Sequence, residues 1–400
     1  MLNKGVLEMT GQQEYRVLQV FSALGMGGAE TWLMALLRHL DKVKENLPFR
    51  LQMDVCLTSG RKGVFDEEAA SLGANLFYPT YSRKNLPGFL REFRAILANG
   101  HYHAIHDHQD YTAGLHFLLG MGHLPSVRVA HVHNPYIHIK NYSSGYARRL
   151  TISIGKSLLS HQATHIIGTS RQILSEYGFD NAAFKKVKLG AVHCGFDVDL
   201  FTGDYQQLHT EICDEFGWKN KSKIILFVGR LNGSLNHKNP RFALEVAKIC
   251  IEKDSSIRLL MVGDGEDARV GFEGDVKSWG LQDSIRFLGL RSDVPRLMAG
   301  SDLLLFPSVG EGLGMVAVEA QAAGLRVLAS DAVPKECEVI PEMIEFKSLA
   351  HGSFAWAEES LKLIRLSRPD QIMCNQLVRS SPFSIENSAA SLLHIYFSAN

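Results

Sequence analysis

Short apolar runs alternate with amphipathic stretches along most of the chain, the pattern of β-α-β units wound around parallel sheets. In the front half these runs predict strands at Val17–Phe21, Met53–Leu57, Ala104–His108, Val127–His133 and His165–Gly168. In the back half they predict strands at Ile224–Val228, Leu259–Val262, Ile285–Leu288, Leu303–Phe306 and Val327–Ala329. Between Val192 and Lys221 the pattern breaks into a polar stretch before a fresh apolar strand opens, which places a domain join there. The expected division is an N-terminal domain over residues 1–195, a C-terminal domain over 196–380, and a final helix over 381–400 packing back on the N-terminal domain. Ligands of open α/β sheets sit beyond the carboxyl ends of the strands, so the chemistry is expected in loops that follow strands and face a cleft between the domains.

Four segments stand out on that basis. After the first strand, Gly25, Gly27 and Gly28 precede an amphipathic helix, and bare loop amides at a helix N-terminus favour an anion. The spacing is not G-x-G-x-x-G, and no acidic residue caps the second strand, which disfavours a nicotinamide dinucleotide. Nine of the 17 histidines fall between His101 and His138; strand period puts His106 with His108, and His131 with His133, on one face each. These H-x-H pairs lack a nearby Cys or Glu ligand, so they read as a polar pocket wall with His133 and Asn134 at its lip, and no metal is expected. In the third segment Arg230 follows the strand and glycine of ILFVG, and Lys238 stands just before Asn239 and Pro240 open a helix. A forked donor and a mobile point charge suit a diphosphate. The fourth segment is the most specific: Gly310, Gly312 and Gly314 open a helix carrying Glu319, with Glu311 inside the loop, so both carboxylates can face one edge and accept hydrogen bonds from sugar hydroxyls.

Composition narrows the choice. Of 400 residues 46% are hydrophobic and 21% charged, which suits a globular α/β chain, and 42 basic residues balance 42 acidic ones, so no overall field draws in nucleic acid. Any anion must be held by a local site. The six cysteines form no C-x-x-C pair, and no stretch reaches the roughly 18 apolar residues that span a bilayer, so the expected setting is cytoplasmic. Attachment at the inner membrane face remains open through Lys140, Arg148, Arg149 and Lys156 beside the apolar residues around Ile152.

The motifs GMGGAE, VAHVHN, VGRLNGSLNHKNP and SDLLLFPSVGEGLGMVAVEAQAAG resemble those of the group 1, family 4 retaining glycosyltransferases, and the last matches their E-x7-E signature. The resemblance covers nearly the whole chain, with a look closest to enzymes that build bacterial capsule or exopolysaccharide. It implies the GT-B fold, two Rossmann-like domains with parallel sheets facing an interdomain cleft. It also implies transfer of a sugar from a nucleotide-sugar, a UDP-sugar first among them, to a hydroxyl of a saccharide or lipid-linked saccharide, without metal or other cofactor. By position, Gly27 and Gly28 would approach the donor diphosphate, and Arg230 with Lys238 would hold it. Glu311 would touch the donor sugar, with amides from Gly312, Leu313, Gly314 and Met315 on sugar or phosphate oxygens, and Glu319 would bind the ribose. His133 would sit at the reaction centre with His131 as the alternative, and His108, His131 and Asn134 are the acceptor-side candidates. The D-x-D at Asp197 and Asp199 resembles the family's interdomain segment rather than a metal site. The competing readings are another GT-B enzyme, such as a sugar-nucleotide epimerase or a sugar-phosphate synthase, and a non-catalytic nucleotide-sugar-binding protein.

Overall fold

Every apolar run named above forms a strand in the computed structural model, which describes residues 13–82, 84–136, 145–231 and 237–397. The first sheet contains β1 (Glu14–Phe21), β2 (Arg50–Leu57), β3 (Leu76–Phe77), β4 (Ala104–Asp107), β5 (Val127–Val132), β6 (His165–Gly168) and β7 (Lys188–Ala191). The second contains β8 (Lys223–Val228), β9 (Ile257–Val262), β10 (Ile285–Gly289), β11 (Leu303–Phe306), β12 (Val327–Ser330) and β13 (Ile344–Lys347). Their orders are β3-β2-β1-β4-β5-β6-β7 and β10-β9-β8-β11-β12-β13. All pairings within the two sheets are parallel. Each order reverses once, between β1 and β4 and between β8 and β11, and at such a switch point the crossovers leave on opposite faces and open a crevice at the carboxyl ends.

Three strands were not foreseen, β3, β7 and β13, and each lies at or next to a sheet edge. An edge strand is covered on fewer sides, so it needs no continuous apolar run; Lys188 and Leu189 of β7 are exposed.

Two compact units result. One comprises residues up to Phe196 together with those from Pro382 onward, the other Asp197–Ser381. The core of the first gathers Leu18, Val20, Phe89, Phe93, Phe117, Val132 and Ile166; that of the second gathers Ile225, Phe227, Leu259, Leu305 and Trp356, all buried. Each such side chain contributes about 1.5–3 kcal/mol relative to an exposed one. The last helix, Ile385–Phe397, belongs to the first unit. Phe397 packs its ring on Tyr15 and Phe49 at 4.5 and 4.8 Å, and Trp32 donates to Ser388 at 3.0 Å.

One close approach positions the site. The helices Ala113–Gly120 and Tyr146–Gln162 meet through Gly114 and Gly155. A Cβ on Gly114 would strike the Gly155 carbonyl, and one on Gly155 would strike the carbonyl of Tyr111. The second helix is thereby held against the turn that carries Asp110.

Candidate active site

In the second unit the candidate residues gather at the carboxyl ends of the switch-point strands. β8 ends at Val228, and Gly229 turns the chain so that Arg230 is exposed. Asn239 adopts a left-handed conformation (φ 56°) as the N-cap of the helix Pro240–Lys253, which sets Lys238 immediately before it. Lys238 Nζ lies 2.7 Å from Glu311 Oε1 and 5.1 Å above the Phe306 ring. Ser308 donates to the same Glu311 oxygen at 2.6 Å, and Ser330 donates to the Ser308 carbonyl. Gly314 (φ 94°) caps the helix Met315–Ala322, and a side chain there would meet Val333 and Phe306. Val309 N donates to the His237 carbonyl at 2.7 Å, tying this loop to the one bearing Lys238. The structure therefore brings Lys238 and Glu311, 73 positions apart, into direct contact, with Glu319 on the helix that the loop opens. Burial pushes Glu319 up to about 7, against the opposing pull of Lys238. Residues 232–236, between the two cations, lie outside the described residues.

In the first unit four histidines form one connected cluster. The rings of His106 and His108, and those of His131 and His133, are each 4.0 Å apart, so each pair shares a face of its strand. His108 Nδ1 meets His133 Nε2 at 2.9 Å, and His106 Nε2 meets His131 Nδ1 at 3.2 Å. Trp32, from the helix Gly28–Val43, sets its ring edge-on to His131 at 5.2 Å, and Phe21 stacks on His108 at 4.1 Å. Burial, reinforced by mutual repulsion of their charged forms, holds His106, His108 and His131 far below the usual histidine range, and burial lowers His133 to about 3. All four are neutral at physiological pH. His131 is fully buried, whereas His133 is only partly covered and Asn134 is exposed, so of the two histidines His133 has surface for a ligand.

Asp110 holds this lip in place. Its backbone is left-handed (φ 51°), uncommon for a residue with a side chain. Its Oδ1 accepts from His133 N at 2.9 Å and its Oδ2 from Asn134 Nδ2 at 2.9 Å. Burial raises its carboxyl to about 6 even though these hydrogen bonds favour the charged form. Sequence reading passed over Asp110, although an Asp two residues past an H-x-H strand end is a recognisable turn signal. It also passed over Gln19, whose polar side chain in the otherwise apolar run of β1 was a visible anomaly, and over Tyr396.

The remaining expected residues fall as follows. Gly27 is the N-cap of the helix Gly28–Val43 and backs onto the Glu30 carboxylate, which a Cβ at that position would strike, while Gly28 is exposed and open. At the D-x-D, Asp197 accepts from Asp199 N within the turn, and Asp199 pairs with Arg379 from a distant helix. Lys140 lies outside the described residues. Lys156 sits 5.8 and 5.7 Å above the rings of Tyr136 and Phe179, and Ile152 is buried; neither stands on an exposed face. Among its described residues the exposed large apolar side chains of that helix are Tyr146, Leu150 and Ile154. Nitrogens of His106, His108 and His131 lie within 4.8 Å of one another, the one such cluster among the described residues. Both nitrogens of His106 and of His108, and His131 Nδ1, are hydrogen-bonded within the protein, while His131 Nε2 is buried without a hydrogen-bond partner among the described residues.

Comparison with known proteins matches residues 26–210 to Glycosyltransferase Family 4 and residues 222–364 to Glycosyl transferases group 1. The Bacillus subtilis (strain 168) protein EpsF, named as a glycosyltransferase, is 28% identical over 386 residues, covering 95% of this chain and 96% of its own. The capsular polysaccharide biosynthesis glycosyltransferase CapH of Staphylococcus aureus is 24% identical over 96% of this chain and 99% of its own. In fold, Anabaena HepE crystallised with UDP superposes with a TM-score of 0.71 at 18% identity, covering 96% of this chain and 98% of that one. Together with the two parallel sheets, this establishes the GT-B fold.

The Asp110 environment has a measurable consequence. A carboxyl raised to about 6 binds its proton more tightly in the folded chain than in the unfolded one, where it titrates near 4. Its contribution to stability is thus fully present below about pH 4 and is lost as pH rises through about 6. Asp110→Asn removes that dependence, and the histidine contributions cancel in the comparison. Urea unfolding from pH 4 to 7 should show the stability advantage of wild type over Asp110→Asn shrinking across this window. A difference that stays flat or grows contradicts the assignment.

Proposed function

Because the chain belongs to the family 4, group 1 glycosyltransferases, we propose that it moves a sugar from a UDP-sugar to a hydroxyl of a saccharide or lipid-linked saccharide, retaining the anomeric configuration, in the assembly of a cell-surface polysaccharide. The observation that carries this reading is the Lys238–Glu311 contact beside Arg230 and the glycine-rich loop, with Glu319 on the helix that follows. The name of EpsF supports glycosyl transfer, that of CapH supports the polysaccharide setting, and the UDP bound to HepE supports the donor.

In this reading the bond between the anomeric carbon and the phosphate oxygen breaks, the acceptor oxygen bonds to that carbon, and the acceptor proton passes to the departing phosphate. Charge on the leaving diphosphate is the main electrostatic problem. Arg230 offers a fork, and Lys238, drawn from Glu311 to the phosphate, offers a point charge. Glu311, relieved of its cation, is left to face the sugar as positive charge develops there, with amides from Gly312 to Met315 beside it. Glu319 takes the ribose hydroxyls. A neutral His133 at the lip meets a sugar hydroxyl as a hydrogen-bonding group and not as an acid.

The two glutamates then separate kinetically. The ribose is unchanged by the reaction, so Glu319→Ala removes uniform binding and raises the donor KM about 10- to 150-fold, the loss of one charged hydrogen bond of about 1.5–3 kcal/mol. Since Glu319 titrates near 7, donor binding should also weaken as pH falls below about 7, and Glu319→Gln should flatten that profile. Glu311→Ala should instead lower kcat with a smaller change in KM. Steady-state kinetics on both variants decide between this assignment and the reverse.

The basic pair takes the place that a cation fills in other transferases, so turnover should survive EDTA. Complete loss of activity restored by a divalent metal would refute this.

A lipid-linked acceptor fits the exposed stripe Tyr146, Leu150 and Ile154, spaced one turn apart beside Arg148 and Arg149 on the helix Tyr146–Gln162. Apolar groups flanked by cations suit an anionic bilayer surface, and no helix among the described residues is long and apolar enough to cross one. The double variant Leu150→Ser, Ile154→Ser should sediment less with anionic vesicles than wild type; equal sedimentation contradicts surface attachment.

A further inference from the structure

The hydrogen bonds around Gln19 fix the proton on every histidine of the cluster. Gln19, fully buried in β1, faces His108 Nε2 with its Oε1 at 2.9 Å, and its Nε2 faces the Tyr396 hydroxyl at 3.1 Å. The orientation of the amide follows from Met53, whose thioether accepts and cannot donate: its sulfur lies 3.8 Å from Gln19 Nε2, so the amide NH2 belongs on that side. Gln19 Oε1 can then only accept, and His108 carries its proton on Nε2. A neutral His108 has a lone pair on Nδ1, so its neighbour His133 must donate from Nε2. A neutral His133 therefore keeps its lone pair on Nδ1. A separate contact agrees: Cys194 Sγ lies 4.0 Å from His133 Nδ1, and its buried thiol, pushed up to about 12, remains an S–H directed at an acceptor, a weak donor that a substrate hydroxyl would displace from that lone pair.

The other branch obeys the same logic. Tyr396 accepts from Gln19 and so turns its hydroxyl proton to His106 Nδ1 at 2.6 Å, which places the His106 proton on Nε2, donating to His131 Nδ1. Both branches start at one amide.

We propose that Gln19 and Tyr396 are positioning residues that lock His106, His108, His131 and His133 as Nε2–H tautomers, so that His133 presents an Nδ1 lone pair as the acceptor for a substrate hydroxyl. The tautomers follow from hydrogen bonds alone; only the substrate clause rests on the function proposed above. Tyr396 lies 290 positions from His106, so the last helix of the chain takes part in setting the state of residues at the carboxyl end of β5.

Nitrogen-15 NMR of histidine-labelled full-length protein without donor reads each tautomer directly. Wild type should show all four histidines as Nε2–H. Gln19→Leu should release His108 and His133 to the Nδ1–H form, whereas Gln19→Glu, which keeps an acceptor facing His108, should preserve the wild-type state of both. Tyr396→Phe should change His106 and His131 while leaving His108 and His133 as they were, and this variant tests the scheme if Gln19→Leu fails to fold. A wild-type His133 protonated on Nδ1, or tautomers unmoved in both Gln19→Leu and Tyr396→Phe, overturns the proposal. With donor and acceptor, Gln19→Leu should lower kcat about tenfold at unchanged donor binding and Gln19→Glu should restore much of it. Unchanged kcat in Gln19→Leu alongside the expected tautomer shift would overturn the role given to His133 and leave the proton assignments standing.

Discussion

Each sheet reverses its strand order once, and that constraint governs where chemistry can sit. Crossover helices cover both faces of a parallel sheet, but at the β1/β4 and β8/β11 junctions neighbouring crossovers leave on opposite faces, so the carboxyl ends stay uncovered there. Arg230 follows β8, Ser308 and Glu311 follow β11, His108 follows β4, and the glycines before the first helix follow β1. The candidate residues thus collect at these ends because the switch in strand order opens a crevice there in a sheet packed on both sides.

The two units handle polar groups at these ends in opposite ways. In the second, opposite charges are paired, Lys238 with Glu311, at partly accessible positions, so an arriving anion can exchange partners with little new desolvation. In the first, burial forces the histidines neutral, and the nitrogens of His106 and His108, with His131 Nδ1 and His133 Nε2, are matched to donors or acceptors. A buried histidinium beside three other imidazoles would cost several kcal/mol, whereas neutral rings in an unbroken chain of hydrogen bonds cost little. Charge exchange and fixed polarity are thus separate tasks, carried by separate sheets.

The legibility of this arrangement in the sequence follows the same physics. Interior strands such as Leu303–Phe306 must be apolar on both faces and announce themselves, whereas Lys188–Ala191 and Ile344–Lys347, nearer the edge, do not. The glycine-rich loop was legible because Gly314 occupies a left-handed position with Val333 and Phe306 close by. The H-x-H pairs were legible because a two-residue period is local. What local pattern cannot show is a partner distant in sequence: Glu311 for Lys238, Tyr396 for Gln19, or the Glu30 carboxylate behind Gly27.

The buried Gln19 shows why such a polar residue is worth its cost within an apolar strand. An amide has one end that only accepts and one that only donates, so placed between His108 and Tyr396 it imposes opposite polarities on the two branches. An alcohol or an imidazole could serve either way and would leave the direction of both branches undetermined. Met53, whose thioether can only accept, selects the orientation of that amide, and the single choice propagates through four rings. The contact with Met53 therefore decides which nitrogen of His133 carries the proton, while the last helix, by supplying Tyr396, carries the same choice to His106 and His131.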